Sequence, residues 1–209
     1  MVQNTLITTK ASFQRINYRW RVVDIVVASV LGVAAALIFF GWNQLYAPVT
    51  APFEALLPGS QALFYGVWLF AGVLGGLVIR KPGAALYTEV VAATVSALLG
   101  AKWGGFLTIE AGLVQGLGAE LVFLIFLYSS WKLGVAILAG AGAGLAMAIN
   151  DLVLWYPGAD TAFQAIYTVS AIISGAVIAG LGSWLIVRAL AKTGVLSRFA
   201  SGRVQTARA

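Results

Sequence analysis

The chain has 209 residues, of which 61% are hydrophobic and only 10% charged, and its mean hydropathy is +0.94. Soluble domains carry about 25% charged residues, so this is the composition of an integral membrane protein. Cys and His are both absent, which excludes a disulfide framework, thiol nucleophiles, His-ligated haem or zinc, and any Ser-His pair; the net charge of +6 reads as basic residues on a cytoplasmic face, not as a nucleic-acid surface.

The apolar runs are long and rich in Ala, Leu, Val and Gly, without the alternation of barrel strands. They predict helices. Residues 1–21 are polar and basic, with Lys10, Arg15, Arg19 and Arg21, and the apolar run that follows is too long for a signal peptide. It predicts a first spanning helix over 22–42. Asp24 lies at its basic end, where it can pair with Arg21. Residues 43–61 hold Pro48, Pro52 and Pro58 and predict a long loop, an outer lid between helices 1 and 2. Helix 2 is expected over 62–79, a basic turn at 80–83, and helix 3 over 84–99. A connector at 100–111 leads to helix 4 over 112–128. Helix 5 is expected over 133–154 and helix 6 over 163–190, with a basic tail over 191–209.

Charge supports this count. With six spans, twelve of the thirteen Lys and Arg residues fall on one side and only Lys102 on the other. Short basic loops stay in the cytoplasm, so both termini are expected inside. The whole chain then forms one membrane domain in a plasma membrane: residues 1–21 inside, 22–190 in the bilayer, and 191–209 inside.

Two carboxyl groups interrupt the apolar runs, Glu89 and Glu120. Placing one at membrane depth costs roughly 2.5–3.5 kcal/mol on insertion scales, so such residues mark function or are buried with a partner. Both are expected near mid-membrane on neighbouring antiparallel helices, facing one cavity. Gln115 and Gly116 lie one turn above Glu120; Gly112 and Gly116 share its face and would admit either a flat ligand or a close helix. Asn150 and Asp151 sit near the outer end of helix 5. Gln164, Tyr167, Ser170 and Ser174 form a polar stripe on helix 6. Trp103, among glycines in an outer connector, is the aromatic expected to stack on a ligand, while Trp42 and Trp155 read as interfacial anchors beside Tyr46. Ala28, Gly32 and Ala36 form a small-residue ridge on helix 1 that suits internal packing or the docking of another membrane subunit.

No phosphate-binding GxxxxGK[ST] loop is present, so uphill transport would draw on a partner or an ion. The residues point to capture of a small cationic or donor-rich ligand from outside. A stand-alone secondary carrier or channel, with Glu89 or Glu120 as proton relay, is the alternative; a lipid transferase lacks a metal cluster, and a purely structural subunit would bind no small molecule.

The segments WRVVDIVVASVLGVAAALIF, KPGAALYTEVVAA and, above all, WGGFLTIEAGLVQGLGAELVF resemble the substrate-binding (S) components of energy-coupling factor (ECF) transporters of the YkoE type. The resemblance spans residues 20–190. It implies an all-α membrane protein of six transmembrane helices with both termini cytoplasmic. It further implies an outer pocket closed by the loop between helices 1 and 2, and a thiamine or hydroxymethylpyrimidine ligand. A transmembrane coupling (T) subunit and two cytoplasmic ATPases would drive release by toppling the S component in the bilayer. On this reading the chain is no enzyme and needs no cofactor or metal. Glu120, Gln115, Glu89, Trp103, Asn150, Asp151 and Tyr167 are the expected ligand contacts. Ala28, Gly32 and Ala36 are the expected docking ridge for the coupling subunit.

Overall fold

The computed structural model describes residues 18–202; Lys10 and Arg15 of the expected inner segment, and Arg203 and Arg208 of the expected tail, lie outside them. The described chain is helical throughout its ordered elements: α1 (Val22–Leu56), α2 (a 3-10 segment Ser60–Trp68 followed by Phe70–Ile79), α3 (Ala84–Leu98), α4 (Gly105–Ile125), α5 (Leu133–Leu154) and α6 (Thr161–Lys192). Among the described residues four helices are long and apolar enough to cross a membrane, five if the two parts of α2 form one span. The remaining helix, α3, has 15 residues.

The second part of α2 is the axis of the bundle. Its sequence FAGVLGGLVI is apolar all round, and every one of its ten residues is buried, as expected for a helix surrounded by others. The chain bends by 41° where the 3-10 segment meets it. Polar groups freed at the bend are met by neighbours. The Gly66 amide donates to Ser174 Oγ (2.8 Å), and Ser183 Oγ donates to the Phe70 carbonyl (3.2 Å). Both serines belong to α6, on either side of a stretch, Gly175–Leu181, wound as a π-helix. The start of α6 is capped by Asp160, whose Oδ1 accepts from the amides of Ala162 (2.9 Å) and Phe163 (3.0 Å).

Helices α5 and α6 touch through backbone. A β-carbon built on Gly140 would collide with the Gly175 carbonyl and one on Gly144 with that of Ala171. No side chain fits there, and backbone carbonyls cannot move aside cheaply. A Gly140→Leu substitution is therefore expected to abolish the sharp size-exclusion peak of detergent-purified protein. Retention of the wild-type peak and thermal midpoint would show that the two helices do not meet at Gly140.

The ridge Ala28, Gly32, Ala36 is spent in the same way, which corrects the expected docking role. Ala28 and Ala36 are 0% exposed, and a β-carbon on Gly32 would lie 2.7 Å from Val91 Cγ1 and 2.9 Å from the Thr88 carbonyl oxygen. The ridge thus seats α1 on α3 inside this chain and has no free surface for a subunit. The opposite face of α1, with Val26, Val30 and Leu37, is the exposed one.

Two boundaries differ from those expected by more than three residues. The lid loop over 43–61 is not a loop: α1 runs to Leu56 through Pro48 and Pro52. Prolines spaced by four lie on one helix face, so the carbonyls they leave unpaired are gathered on one side. At about 1.5 Å per residue a helix of 35 residues reaches about 52 Å, enough to carry its last turns over the end of the bundle. The second difference is that α4 begins at Gly105 rather than near 112, because the apparent connector is mostly helical. Both changes move the candidate site.

At the end of the bundle that holds Val22 and Lys192, polar links tie the chain together. Buried Asp24 pairs with Arg21 (Nη2–Oδ1 2.7 Å) and with Lys81 (Nζ–Oδ2 2.5 Å); Trp20 Nε1 donates to the Pro82 carbonyl (2.9 Å), and Lys81 also donates to the Arg19 carbonyl. The described part of the tail is folded onto this end. Leu196 and Phe199 are buried, Ser201 Oγ donates to the Val78 carbonyl (3.0 Å), and Arg80 Nη1 donates to that of Ala200 (3.3 Å).

Candidate functional site

At the opposite end the helices part around a cavity of about 580 Å³, within the range of small-molecule sites. Its walls come from the second half of α1, the 3-10 segment of α2, the face of α3 that holds Glu89, Ala93 and Ser96, the first half of α4 with the connector before it, and the facing parts of α5 and α6. Helix ends that must leave a gap for the chain to turn leave it here, and aromatic side chains line it.

One wall is a cluster of three rings from three elements. Tyr46, Trp68 and Trp103 meet in tilted or edge-on pairs, with centroids 5.3 Å (Tyr46–Trp68), 5.1 Å (Tyr46–Trp103) and 5.5 Å (Trp68–Trp103) apart. The Trp68 indole is oriented by its Nε1–H, which donates to Oδ1 of buried Asn43 (2.9 Å). Tyr65 extends this wall (5.2 Å from Trp68), and Tyr156 and Tyr167 pair at 5.3 Å on another side. Aromatic faces packed in this way attract flat rings and cations.

The polar groups are acidic. Glu89 is 1% exposed and lines the cavity. Its Oε2 accepts from the Gly72 amide at 2.5 Å, in the first turn of the second part of α2, while its Oε1 has no hydrogen-bond partner among the described residues. One oxygen therefore caps a buried helix start and the other is available. A β-carbon on Gly72 would lie 3.0 Å from Glu89 Oε2 and 3.1 Å from the Ala85 carbonyl oxygen; glycine there lets the two helices approach closely enough for the bond. Asp151 accepts from the Tyr167 hydroxyl at 2.6 Å. Glu54, exposed in the last turns of α1, completes the acidic set. Tyr156 lies outside the helices, and its phenol is raised above the ordinary value by burial and further by the charges of Glu54 and Asp151.

Of the residues singled out in the sequence, Glu89, Gln115, Trp103, Asp151 and Tyr167 all line this cavity. Asn150 does not; it points to Glu110, with Nδ2 3.2 Å from Oε2. Glu120 does not either, and its expected place in the site is corrected. Because α4 starts earlier, Glu120 lies late in that helix, beside the turn that begins α3. Its Oε1 accepts from the Gly83 amide (2.6 Å) and the Tyr128 hydroxyl (2.7 Å), and its Oε2 from the amides of Ala85 (2.9 Å) and Leu86 (3.3 Å). It caps the α3 N-terminus from the neighbouring helix, where backbone amides and the positive helix end favour an acidic group. Tyr128 reaches it from a left-handed backbone conformation (φ 52°), and burial together with the Glu120 bond raises its phenol above the ordinary value. Gly116 serves packing as well: a β-carbon there would lie 3.0 Å from Glu89 Cβ and 3.1 Å from Leu86 Cα.

Tyr65, Trp68, Tyr156 and Glu54 were not singled out. Tyr65 and Trp68 lie three apart, which places them on one helical face, and that spacing was the signal available. Glu54 was hidden by the expectation of a loop. Among the described residues no three His, Cys, Asp or Glu side chains come together as a metal site.

Three comparisons bear on the chain. The family model of the ABC-type cobalt transport system, permease component, matches residues 23–146. A Bacillus subtilis (strain 168) protein that bears the name putative HMP/thiamine permease protein YkoE is 38% identical over 185 residues, which cover 88% of this chain and 91% of that protein. A solved structure, the crystal structure of an S-component of ECF transporter, superposes with a TM-score of 0.84 at 36% identity, covering 91% of this chain and 95% of that one.

Proposed function

The chain belongs to the family of S-components of ECF transporters that includes the HMP/thiamine permease YkoE, and from that premise we propose that its cavity binds thiamine or the hydroxymethylpyrimidine half of thiamine. It is a multi-pass cell-membrane protein and a component of a transporter, not an enzyme. The observation that carries the ligand reading is the combination in one pocket of an aromatic cluster, Tyr46–Trp68–Trp103, with a buried carboxyl oxygen that has no hydrogen-bond partner among the described residues, Glu89 Oε1. An aminopyrimidine presents a flat face to the rings and an N–H donor to the carboxylate. A thiazolium is a cation, and the rings and Asp151 suit it.

The basic residues Arg21, Arg80, Lys81, Arg188 and Lys192 lie at the end of the bundle away from the cavity. This supports six membrane crossings with both termini cytoplasmic and the cavity open to the outside. In this arrangement the last turns of α1, not a loop, overhang the entrance and act as the lid. Delivery inward is by toppling of the loaded protein against a transmembrane coupling subunit, powered by two cytoplasmic ATPases; this chain itself contributes recognition.

Three of the seven tryptophans, Trp68, Trp103 and Trp155, line the cavity, so occupancy should alter the intrinsic fluorescence. Titration of the detergent-purified protein with thiamine or hydroxymethylpyrimidine is expected to give saturable quenching. Protein that elutes as a folded species and responds to neither ligand would refute the ligand reading. Uptake of thiamine by vesicles that contain this chain alone would favour a stand-alone carrier instead.

A further inference from the structure

The charge of the cavity is one-sided. Its lining contains three acidic side chains, Glu54, Glu89 and Asp151, and no Lys or Arg. Glu110 adds a fourth carboxyl close behind Asp151, through its contact with the adjacent Asn150. Lys102 is a basic side chain near the aromatic wall; its Nζ sits 5.8 Å from the centre of the Tyr46 ring, and it is exposed and outside the lining. The three acids are also graded in depth. Glu89 is at the closed end and shares its other oxygen with the Gly72 amide, and Asp151 is engaged by Tyr167. Glu54 is exposed at the open end and makes no hydrogen bond or ion pair among the described residues.

A site meant for a phosphate ester offers Arg or Lys forks or a cluster of amides at the anion. The charged side chains of this lining are acidic without exception among the described residues. We propose that the cavity selects unphosphorylated ligands and rejects their phosphate esters, and that Glu54 is the specificity-determining residue. This rests on the ligand reading above and narrows it to the free alcohol. A ligand whose ring reaches Glu89 directs its hydroxyalkyl arm toward the open end, past Glu54. A neutral hydroxyl is tolerated there, whereas a phosphate dianion meets an unpaired carboxylate across poorly screened space. Like charges brought together in a binding site discriminate strongly between ligands.

The test is fluorescence titration of the full chain in detergent with thiamine and with thiamine monophosphate, at low and moderate salt. Wild type is expected to bind the monophosphate at least ~100-fold more weakly than thiamine, the scale set by close like-charge juxtaposition. Glu54→Gln should narrow the gap by ~10-fold and Glu54→Lys by more, chiefly through tighter binding of the ester. Glu54 is exposed, so both variants should fold, and a thermal midpoint within the wild-type range will show it. Equal binding of the two ligands by wild type overturns the proposal, as does a gap unmoved by both substitutions. Binding of neither ligand by folded wild-type protein overturns the ligand reading, and this proposal with it.

Discussion

Replacement of Glu120 by alanine is expected to be among the most destabilising single changes in the chain. The substitution leaves three backbone amides, of Gly83, Ala85 and Leu86, and the Tyr128 hydroxyl without their acceptor in a place where Glu120 itself is 8% exposed. Each buried donor left unpaired costs about 1–3 kcal/mol. Water can reach part of the site and recover some of that, so the net loss should be ~3–5 kcal/mol, the range found when one partner of a buried charged contact is removed. The measurement is the thermal midpoint of purified protein by scanning fluorimetry, set beside ligand affinity. The expected pattern is a large drop in midpoint with affinity nearly unchanged in the protein that remains folded. Glu120→Gln, which keeps an acceptor oxygen, should fall between. A variant with a wild-type midpoint and weakened ligand binding would return Glu120 to the binding site.

Glu89 should show the reverse pattern. In Glu89→Gln the side-chain carbonyl can still accept from the Gly72 amide, so the midpoint should stay close to wild type. The carboxyl oxygen without a partner among the described residues is replaced by an amide nitrogen, which cannot accept. A buried donor left unpaired costs about 1–3 kcal/mol, so thiamine affinity should fall about 5–100-fold. Glu89→Ala should lose at least as much affinity and also stability, because the first turn of the second part of α2 loses its cap. Unchanged affinity in Glu89→Gln would remove this residue from ligand recognition.

These opposite outcomes show where the sequence was readable and where it was not. Apolar runs placed the helices well: the limits expected for the fifth, 133–154, are those observed, and the basic turn at 80–83 separates two helices as expected. The sequence also marked both intramembrane glutamates as special. It could not separate their tasks, because a carboxyl group that caps a neighbouring helix and one that waits for a ligand look alike within their own helices. What separates them is which helix start each one faces, and that depends on register between helices. Register was misjudged because the Gly pair before Phe106 reads as loop, although α4 begins at Gly105. Pro48 and Pro52 misled in the same way: proline usually ends a helix, yet here two fall on one face near its end. The small-residue ridge on α1 was recognised as a contact surface, and only the three-dimensional packing assigns that contact to α3.

The short α3 has a consequence for the bilayer itself. Fifteen residues span about 22 Å at 1.5 Å per residue, whereas the hydrocarbon core is about 30 Å thick. Its first turn is tied by Glu120 to the level of the Arg80–Lys81 turn, so the shortfall falls at its other end, near Leu98 and Leu99, which are both exposed. Lipids flanking that end must shorten or tilt, at a fraction of a kcal/mol for each ångström of mismatch. In the proposed orientation the mouth would then open where the outer leaflet is thinned, and acyl-chain length in the surrounding membrane would act on ligand access.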